Sequence, residues 1–342
     1  MKVATYYSNN AIRIEERSRP KIGYGESLVK IYASGICGSD LMEWYRKDKV
    51  PLVLGHEIAG EIVEVGEAVD SVKVGDRVVA SHHVPCLECR FCLRGNETMC
   101  KTLRSTTFEP GGFSQYVRLP EMNTRLGVYK IPSKISYEEA SFTEPLACVI
   151  RGQRRANVRR GDVVAVIGSG ISGVLHIALA KANGADAIIA VDLINQRLQW
   201  ARKFGADFVT VDSSEMPTIL GREVGQKADI VILTTGNPKA IQDGFGSVED
   251  GGVILLFAPA HPGTTFSLNI NEVFFKRDVT ITTTYAGSPD DHREALALIS
   301  SRAIPVSEMI THRIGLDEIQ LGFNLVEDGS DSLKVIVEPN GN

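Results

Sequence analysis

Short apolar runs separated by turn residues dominate the first part of the chain. Val3 to Tyr7, Ile12 to Glu16, Ser27 to Ala33, Glu61 to Val65 and Arg77 to Val79 are rich in Val, Ile and Tyr. Turn signals such as Gly23-Tyr24-Gly25 and Gly75-Asp76 divide them, which predicts a small antiparallel barrel or sandwich. Within it, Ser39 and Asp40 are good N-caps for a short helix carrying Leu41, Met42 and Trp44. Ser136, with Glu138 and Glu139 behind it, starts another helix. From Gly161 the pattern changes to strand alternating with helix. Val163 to Ile167 is wholly apolar, a helical stretch runs from Val174 to Asn183, and Ala187 to Val191 is a second buried run. Phe208 to Val211, Ile230 to Leu233, Val253 to Phe257 and Val279 to Thr283 complete six candidate parallel strands, a doubly wound α/β domain. Beyond Ser288, a helix from Asp290 to Ser300 and the segment with Leu333 to Val337 return to the first style. The expected organisation is one β-rich domain made of residues 1–147 and 288–342, with residues 148–287 inserted as the α/β domain.

Composition narrows the possibilities. The 342 residues are 43% apolar and 23% charged, with a formal charge of -5, as expected for a soluble globular chain of two domains. That balance argues against nucleic acid, since neutralising phosphates needs a concentrated basic surface. Arg151, Arg154, Arg155, Arg159 and Arg160 cluster, and read as a solvated or interdomain helix face. The first residues lack the apolar core of a signal peptide, and no run approaches the roughly 18 apolar residues of a membrane span. A cytoplasmic protein with no membrane partner is expected.

In a reducing compartment, crowded cysteines read as metal ligands rather than disulfides. Cys86, Cys89 and Cys92 are three apart, and Cys100 follows after seven intervening residues. Four thiolates close a tetrahedral shell with no open position, so this lobe, about residues 84–102, is expected to hold a structural zinc. A second set is spread over Cys37, His56 and Glu57. One thiolate, one imidazole and one carboxylate suit a catalytic zinc that keeps a position for substrate. Glu144 lies in an otherwise apolar stretch, where a carboxylate must be exposed, paired or bound to metal. His82 and His83 read as surface residues, His176 as core, and Cys148 as a buried thiol.

Gly168-Ser169-Gly170-Ile171-Ser172-Gly173 follows a strand and opens a helix, and Asp192 comes 19 positions after the last glycine. That context makes the sequence a dinucleotide-binding turn, with the pyrophosphate on the amides of Gly168, Gly170, Ile171, Ser172 and Gly173 at the helix N-terminus. Asp192 would accept bonds from the adenosine ribose and repel a 2′-phosphate, which points to NAD rather than NADP. Arg197 would weaken that preference if it turned inward.

Taken together, Cys37, Gly55-His56-Glu57, the four-cysteine lobe, Glu144-Pro145 and the glycine turn resemble the zinc-dependent medium-chain dehydrogenases, and within them the sorbitol and threonine dehydrogenase branch. The resemblance covers essentially the whole chain. It implies a GroES-like catalytic domain with an inserted Rossmann domain, and a homodimer or homotetramer. It also implies one catalytic and one structural zinc per chain, with NAD as the cofactor. Carried over, the catalytic zinc ligands fall on Cys37, His56 and Glu57, with Glu144 as a nearby acid that ligates directly or through water. Ser39 matches the hydroxyl that takes the substrate's proton. Where the family commonly has a histidine three positions later, this chain has Met42. The implied activity is hydride transfer between NAD and a secondary alcohol of polyol, sugar or cyclitol type. A threonine 3-dehydrogenase or simple alcohol dehydrogenase is the alternative, and a non-catalytic dinucleotide-binding protein a remote one.

Overall fold

Alternation of inward and outward side chains turns the N-terminal runs into strands, because each can then bury one face. The computed structural model describes residues 1–341. The chain forms two units, Met1–Ala147 together with the chain from Ala286 onward, and Cys148–Tyr285.

The first unit is built on a sheet with the order Ile310–Gly315, Lys334–Glu338, Ser27–Gly35, Glu57–Val65, Arg77–Ala80, Val128–Lys130, and Tyr116–Leu119 also pairs with Ser27–Gly35. Neighbours are antiparallel except the C-terminal pair Ile310–Gly315 and Lys334–Glu338. Val29, Ile31, Ile58, Ile62, Val117 and Leu119 pack into one core. Tyr6, Ile36, Phe113, Phe323, Val335 and Val337 form another. Burying each such side chain contributes about 1.5–3 kcal/mol relative to exposure.

Register in this sheet positions chemistry. Gly35 lies opposite Glu57 on one side and Ile336 on the other. A Cβ on Gly35 would sit 2.0 Å from Glu57 Oε2 and 2.7 Å from Lys334 Cε. Only glycine leaves room there for both side chains.

The second unit is a six-stranded parallel sheet in the order Phe208–Thr210, Ala187–Val191, Val163–Ile167, Ala228–Leu233, Val248–Leu256, Thr280–Thr283. Its strands are continuous apolar runs because both faces are covered. Met216, Leu220, Ile241 and Phe245 pack on one face, and Ile177, Ala180 and Ala201 on the other. Val163–Ile167 is central, and the strand order reverses beside it. Its C-terminal end is therefore the switch point where such sheets open a crevice for ligand. The last strand is different: Thr280, Ile281 and Thr283 are exposed at the sheet edge.

Local differences from expectation cluster near Cys37. The single helix expected there is a 3₁₀ turn, Gly38–Leu41, a break at Met42, and a one-turn helix, Glu43–Arg46. Cys37 holds the cap position, and Asp40 Oδ2 accepts the Cys37 N–H at 3.0 Å. Asp40 is fully buried, so its carboxylate faces back into the unit instead of capping forward. The strand expected at Glu61 begins at Glu57, because Ile58 and Ala59 already pair with Ala80 and Val79.

Candidate active site

The cysteine lobe has almost no apolar core of its own; Leu103 is the buried aliphatic among its four thiols. One sulfur from each of Cys86, Cys89, Cys92 and Cys100 lies within 4.8 Å of all the others. Cys89–Cys92 and Cys86–Cys100 are 3.6 Å apart, far beyond the ~2.05 Å of a disulfide, and all four cysteines are free. Burial pushes the Cys92 thiol up to about 12. Cys100, although burial also acts on it, is brought down to about 6 by the amides of Cys86 and Leu103. Four sulfurs packed this closely repel as thiolates unless a cation sits among them, and the donor set suits zinc. Metal bound there would supply the folding energy that the lobe's small core lacks.

The second set lies entirely in the first unit. Cys37 ends the Ser27–Gly35 region, His56 follows Gly55, and Glu57 opens its strand. Their ligand atoms also lie within 4.8 Å of one another. Ser39 Oγ is 3.4 Å from Cys37 Sγ, which puts its hydroxyl beside the set. Behind His56, Asp40 Oδ1 stands 3.4 Å from Nδ1. Burial works most strongly against a charged His56 ring, yet Asp40 and then Cys37 outweigh it and hold the ring well above its ordinary value. Asp40 in turn stays below its ordinary value: burial opposes this, and His56, the Cys37 amide and Arg46 overcome it. A carboxylate behind an imidazole fixes ring orientation and tautomer, as metal-binding histidines require.

Glu57 and Lys334 are both buried and form an ion pair, and Lys334 Nζ also donates to the Ile36 carbonyl at 3.2 Å. Sequence reasoning missed Lys334. The only signal was a lone lysine in the apolar run Leu333 to Val337.

His82 and His83 do not lie on the surface as expected. Ser81 beside them is buried and donates to the His83 carbonyl at 2.9 Å, which turns the pair inward. The His82 ring centroid is 5.0 Å from that of His56 and 3.8 Å from that of His83. His82 is pushed well below its ordinary value by burial, then by His83, His56, His292 and Arg46. His83 falls to about 4, chiefly through burial. Both rings are neutral near pH 7. Glu144 sits half-buried in the first turn of the helix Thr143–Ala156 and is not one of the three clustered ligand residues.

In the second unit the glycine turn has the expected form. Gly168 has φ +97, and a Cβ on Gly173 would lie 1.9 Å from the Gly168 carbonyl oxygen, so the helix Ile171–Ala182 starts tight against the strand end. Its first-turn amides lack intrahelical partners by geometry and favour an anion. Asp192 follows Ala187–Val191 and accepts the N–H of Ser169 at 2.7 Å and of Ile194 at 3.0 Å. Arg197 turns toward it, with Nη1 3.7 Å from Oδ2.

A sulfur, nitrogen and oxygen ligand set in one unit and a dinucleotide turn in the other are what a metal-assisted dehydrogenase needs, and fold and site define that class. The family model for the alcohol dehydrogenase GroES-like domain matches residues 23–133, and that for zinc-binding dehydrogenases residues 173–301. The chain is 32% identical to a sorbitol dehydrogenase of Bacillus subtilis over 99% of its own length and 98% of the relative's. It is 35% identical to an L-threonine 3-dehydrogenase of Caldanaerobacter subterraneus over 98% of both. A zinc-binding dehydrogenase of Sinorhizobium meliloti, solved with NADP bound, superposes with a TM-score of 0.86 at 27% identity over 99% of both chains. The chain belongs to the zinc-dependent medium-chain dehydrogenases, of the sorbitol and threonine dehydrogenase-like branch. It is an oxidoreductase of small molecules that uses zinc and a nicotinamide dinucleotide. No helix among the described residues is long and apolar enough to cross a membrane.

Proposed function

We propose that this chain oxidises a secondary alcohol of a polyhydroxylated substrate with NAD. The observation that carries the reading is the convergence of Cys37, His56 and Glu57 with the Ser39 hydroxyl beside them. Zinc held by that set would supply Lewis acidity toward a hydroxyl oxygen, and a bound nicotinamide would provide the hydride acceptor. The chain's residues do the rest. Ser39 takes the hydroxyl proton, Asp40 orients His56, and Lys334 holds Glu57. Met42 ends any direct relay from Ser39, so the proton leaves through water, Glu144 or a ribose hydroxyl. Cys86, Cys89, Cys92 and Cys100 hold the second zinc. Asp192, fixed by two backbone amides, presents a carboxylate to the ribose and disfavours a 2′-phosphate; Arg197, turned in toward Asp192, offsets part of that preference for NAD.

The reading extends to a cytoplasmic homo-oligomer. Exposed Ile270, Phe274, Phe275 and Ile281 gather on and before the edge strand Thr280–Thr283. An open apolar sheet edge is a template for pairing with a second copy.

The test is a dehydrogenase assay over polyols, cyclitols, aldoses, simple alcohols and L-threonine with NAD and NADP, repeated for Cys37→Ser and His56→Ala. NAD-dependent polyol oxidation lost in both variants supports the reading. Threonine as the best substrate would move the chain to the other branch of its relatives, and NADP preference would overturn the role given to Asp192.

A further inference from the structure

The loop between Cys37 and His56 carries a cation that the site described above does not use. Arg46 ends the one-turn helix Glu43–Arg46 and folds back over it. Its Nη2 donates to the Ser39 carbonyl at 3.3 Å, and its guanidinium carbon lies 4.9 Å from the Tyr45 ring centroid. Its Nε is buried and has no hydrogen-bond partner. A guanidinium offers five N–H donors in a planar fork, and among the described residues no carboxylate forms an ion pair with this one.

Several basic side chains in this unit already hold carboxylates. Arg118 holds Glu26 and Glu109, Arg313 holds Glu138, and Lys334 holds Glu57. Arg46 is half-buried, and its buried Nε forfeits hydration without a compensating hydrogen bond. Asp40 forms no ion pair with it: Oδ2 accepts the Cys37 amide, and Oδ1 lies 3.4 Å from His56 Nδ1. Two further cations, Lys47 and Lys49, follow on the same loop, and Lys49 Nζ sits 3.7 Å from the Tyr45 ring centroid. Across the metal ligands, the Nδ1 of His82 is buried and unpartnered, a polar atom beside His56 with bonding capacity to spare. Arg46 therefore keeps donor capacity to spare close to Ser39.

We propose that Arg46 recognises an anionic group on the substrate, which makes the substrate an acidic polyhydroxy compound bearing a carboxylate or a phosphate monoester rather than a neutral polyol. The hydroxyl to be oxidised faces Ser39, and the anionic end occupies the guanidinium fork. Arginine is suited to this because its fork matches both oxyanions bidentately. The proposal rests on the dehydrogenase reading for its placement of the hydroxyl, but not for the binding of the anion.

The test uses zinc-loaded enzyme with NAD and matched six-carbon sets: hexitols, the corresponding aldonates, and hexitol monophosphates. Wild type, Arg46→Gln and Arg46→Lys are compared, with thermal unfolding to show that each is folded. The favoured anionic set should exceed the neutral hexitols in kcat/KM. Arg46→Gln should lower that kcat/KM about 30-fold more than it lowers the hexitol value, mainly through KM, as expected for hydrogen bonds to a charged group. Arg46→Lys should recover part of the loss. Aldonates and phosphates separate the two sources of the anion. Gluconate and inorganic phosphate binding to the zinc-loaded protein, read by calorimetry, gives a measure independent of turnover, and Arg46→Gln should weaken the better of the two about 30-fold. Preference for neutral hexitols, or equal losses on neutral and anionic sets, overturns the proposal. Arg46-dependent anion binding without oxidation of any compound would keep the anion site and defeat the dehydrogenase reading.

Discussion

Replacing Lys334 with methionine separates two accounts of Glu57. In the first, Glu57 is a metal ligand whose charge is balanced by Lys334 until zinc binds. In the second, the pair is structural and the metal ignores it. Both side chains are at most 1% exposed. Lys334→Met therefore strands a carboxylate in the interior, and breaking a buried pair from one side costs about 3–5 kcal/mol. Removing both charges with Glu57→Gln and Lys334→Met together should cost markedly less, because no uncompensated ion remains. Zinc adds a further expectation. A dication beside the stranded carboxylate restores the missing positive charge, so the variant's metal-free state suffers more than its metal-bound state. By linkage, each 1.4 kcal/mol of that difference appears as about tenfold tighter zinc binding. The assay is urea unfolding of wild type, single and double variants with a chelator present, followed by zinc titration against a chromophoric chelator. Loss of the structural zinc is common to all variants and cancels in the comparison. Equal destabilisation of single and double variants would refute the buried-charge argument. Weaker zinc binding by Lys334→Met would show instead that Lys334 is needed to aim Glu57.

Three other outcomes follow from the structure. His176 is fully buried, its Nε2 has no partner, and burial pushes it to about 3; the unfolded chain takes up this proton near pH 6.5. Between those values the unfolded state binds more protons, so stability falls as pH falls, by about 1.4 kcal/mol per unit. His176→Leu should flatten the loss measured by urea unfolding from pH 7 to pH 5, and an unchanged slope would contradict the burial argument. Gly35→Ala should drive a methyl into Glu57 and Lys334 and lower stability by about 1–3 kcal/mol, with weaker binding of the catalytic zinc; a melting temperature equal to wild type would rule out the tight approach. Cys92→Ser should reduce zinc from two to one per chain by native mass spectrometry while NAD binding is retained, and a persistent two would mean that Cys92 is not a required ligand.

How much of this was legible depends on how locally each feature is encoded. The thiol spacing from Cys86 to Cys100 and the turn from Gly168 to Gly173 with Asp192 sit within single supersecondary units, so sequence periodicity exposes them. The parallel sheet could be read for the same reason: continuous apolar runs between helices leave few other folds. Lys334 could not be read, because it meets Glu57 only through the register that sets Ile336 and Glu57 on either side of Gly35. His82 looked exposed because adjacent histidines beside a polar lobe carry no apolar signature, and only the burial of Ser81 turns them inward. Asp40 looked like a forward cap, whereas its carboxylate closes a capping box back onto the Cys37 amide and leaves its other oxygen toward His56, 16 residues on. For Lys334 and His82 a long-range contact or register overrode what the local sequence suggested.

The same charges explain why two cations near one site should behave differently. Glu57 and Asp40 are the buried carboxylates of the site, and Lys334 and His56 face them. Lys334 competes directly with any metal for Glu57, so its removal must register first in zinc affinity. Arg46 touches the site only through the Ser39 carbonyl and its field on Asp40 and His82, so its removal leaves all three ligands their present partners. If both residues served merely to balance the site's negative charge, Arg46→Gln and Lys334→Met would shift zinc binding in the same direction and by comparable amounts. A tenfold change in zinc affinity for Lys334→Met beside less than about twofold for Arg46→Gln would separate a cation that neutralises the protein's own carboxylate from one kept for the substrate, since only a direct partner transmits more than a screened interaction across a half-exposed loop.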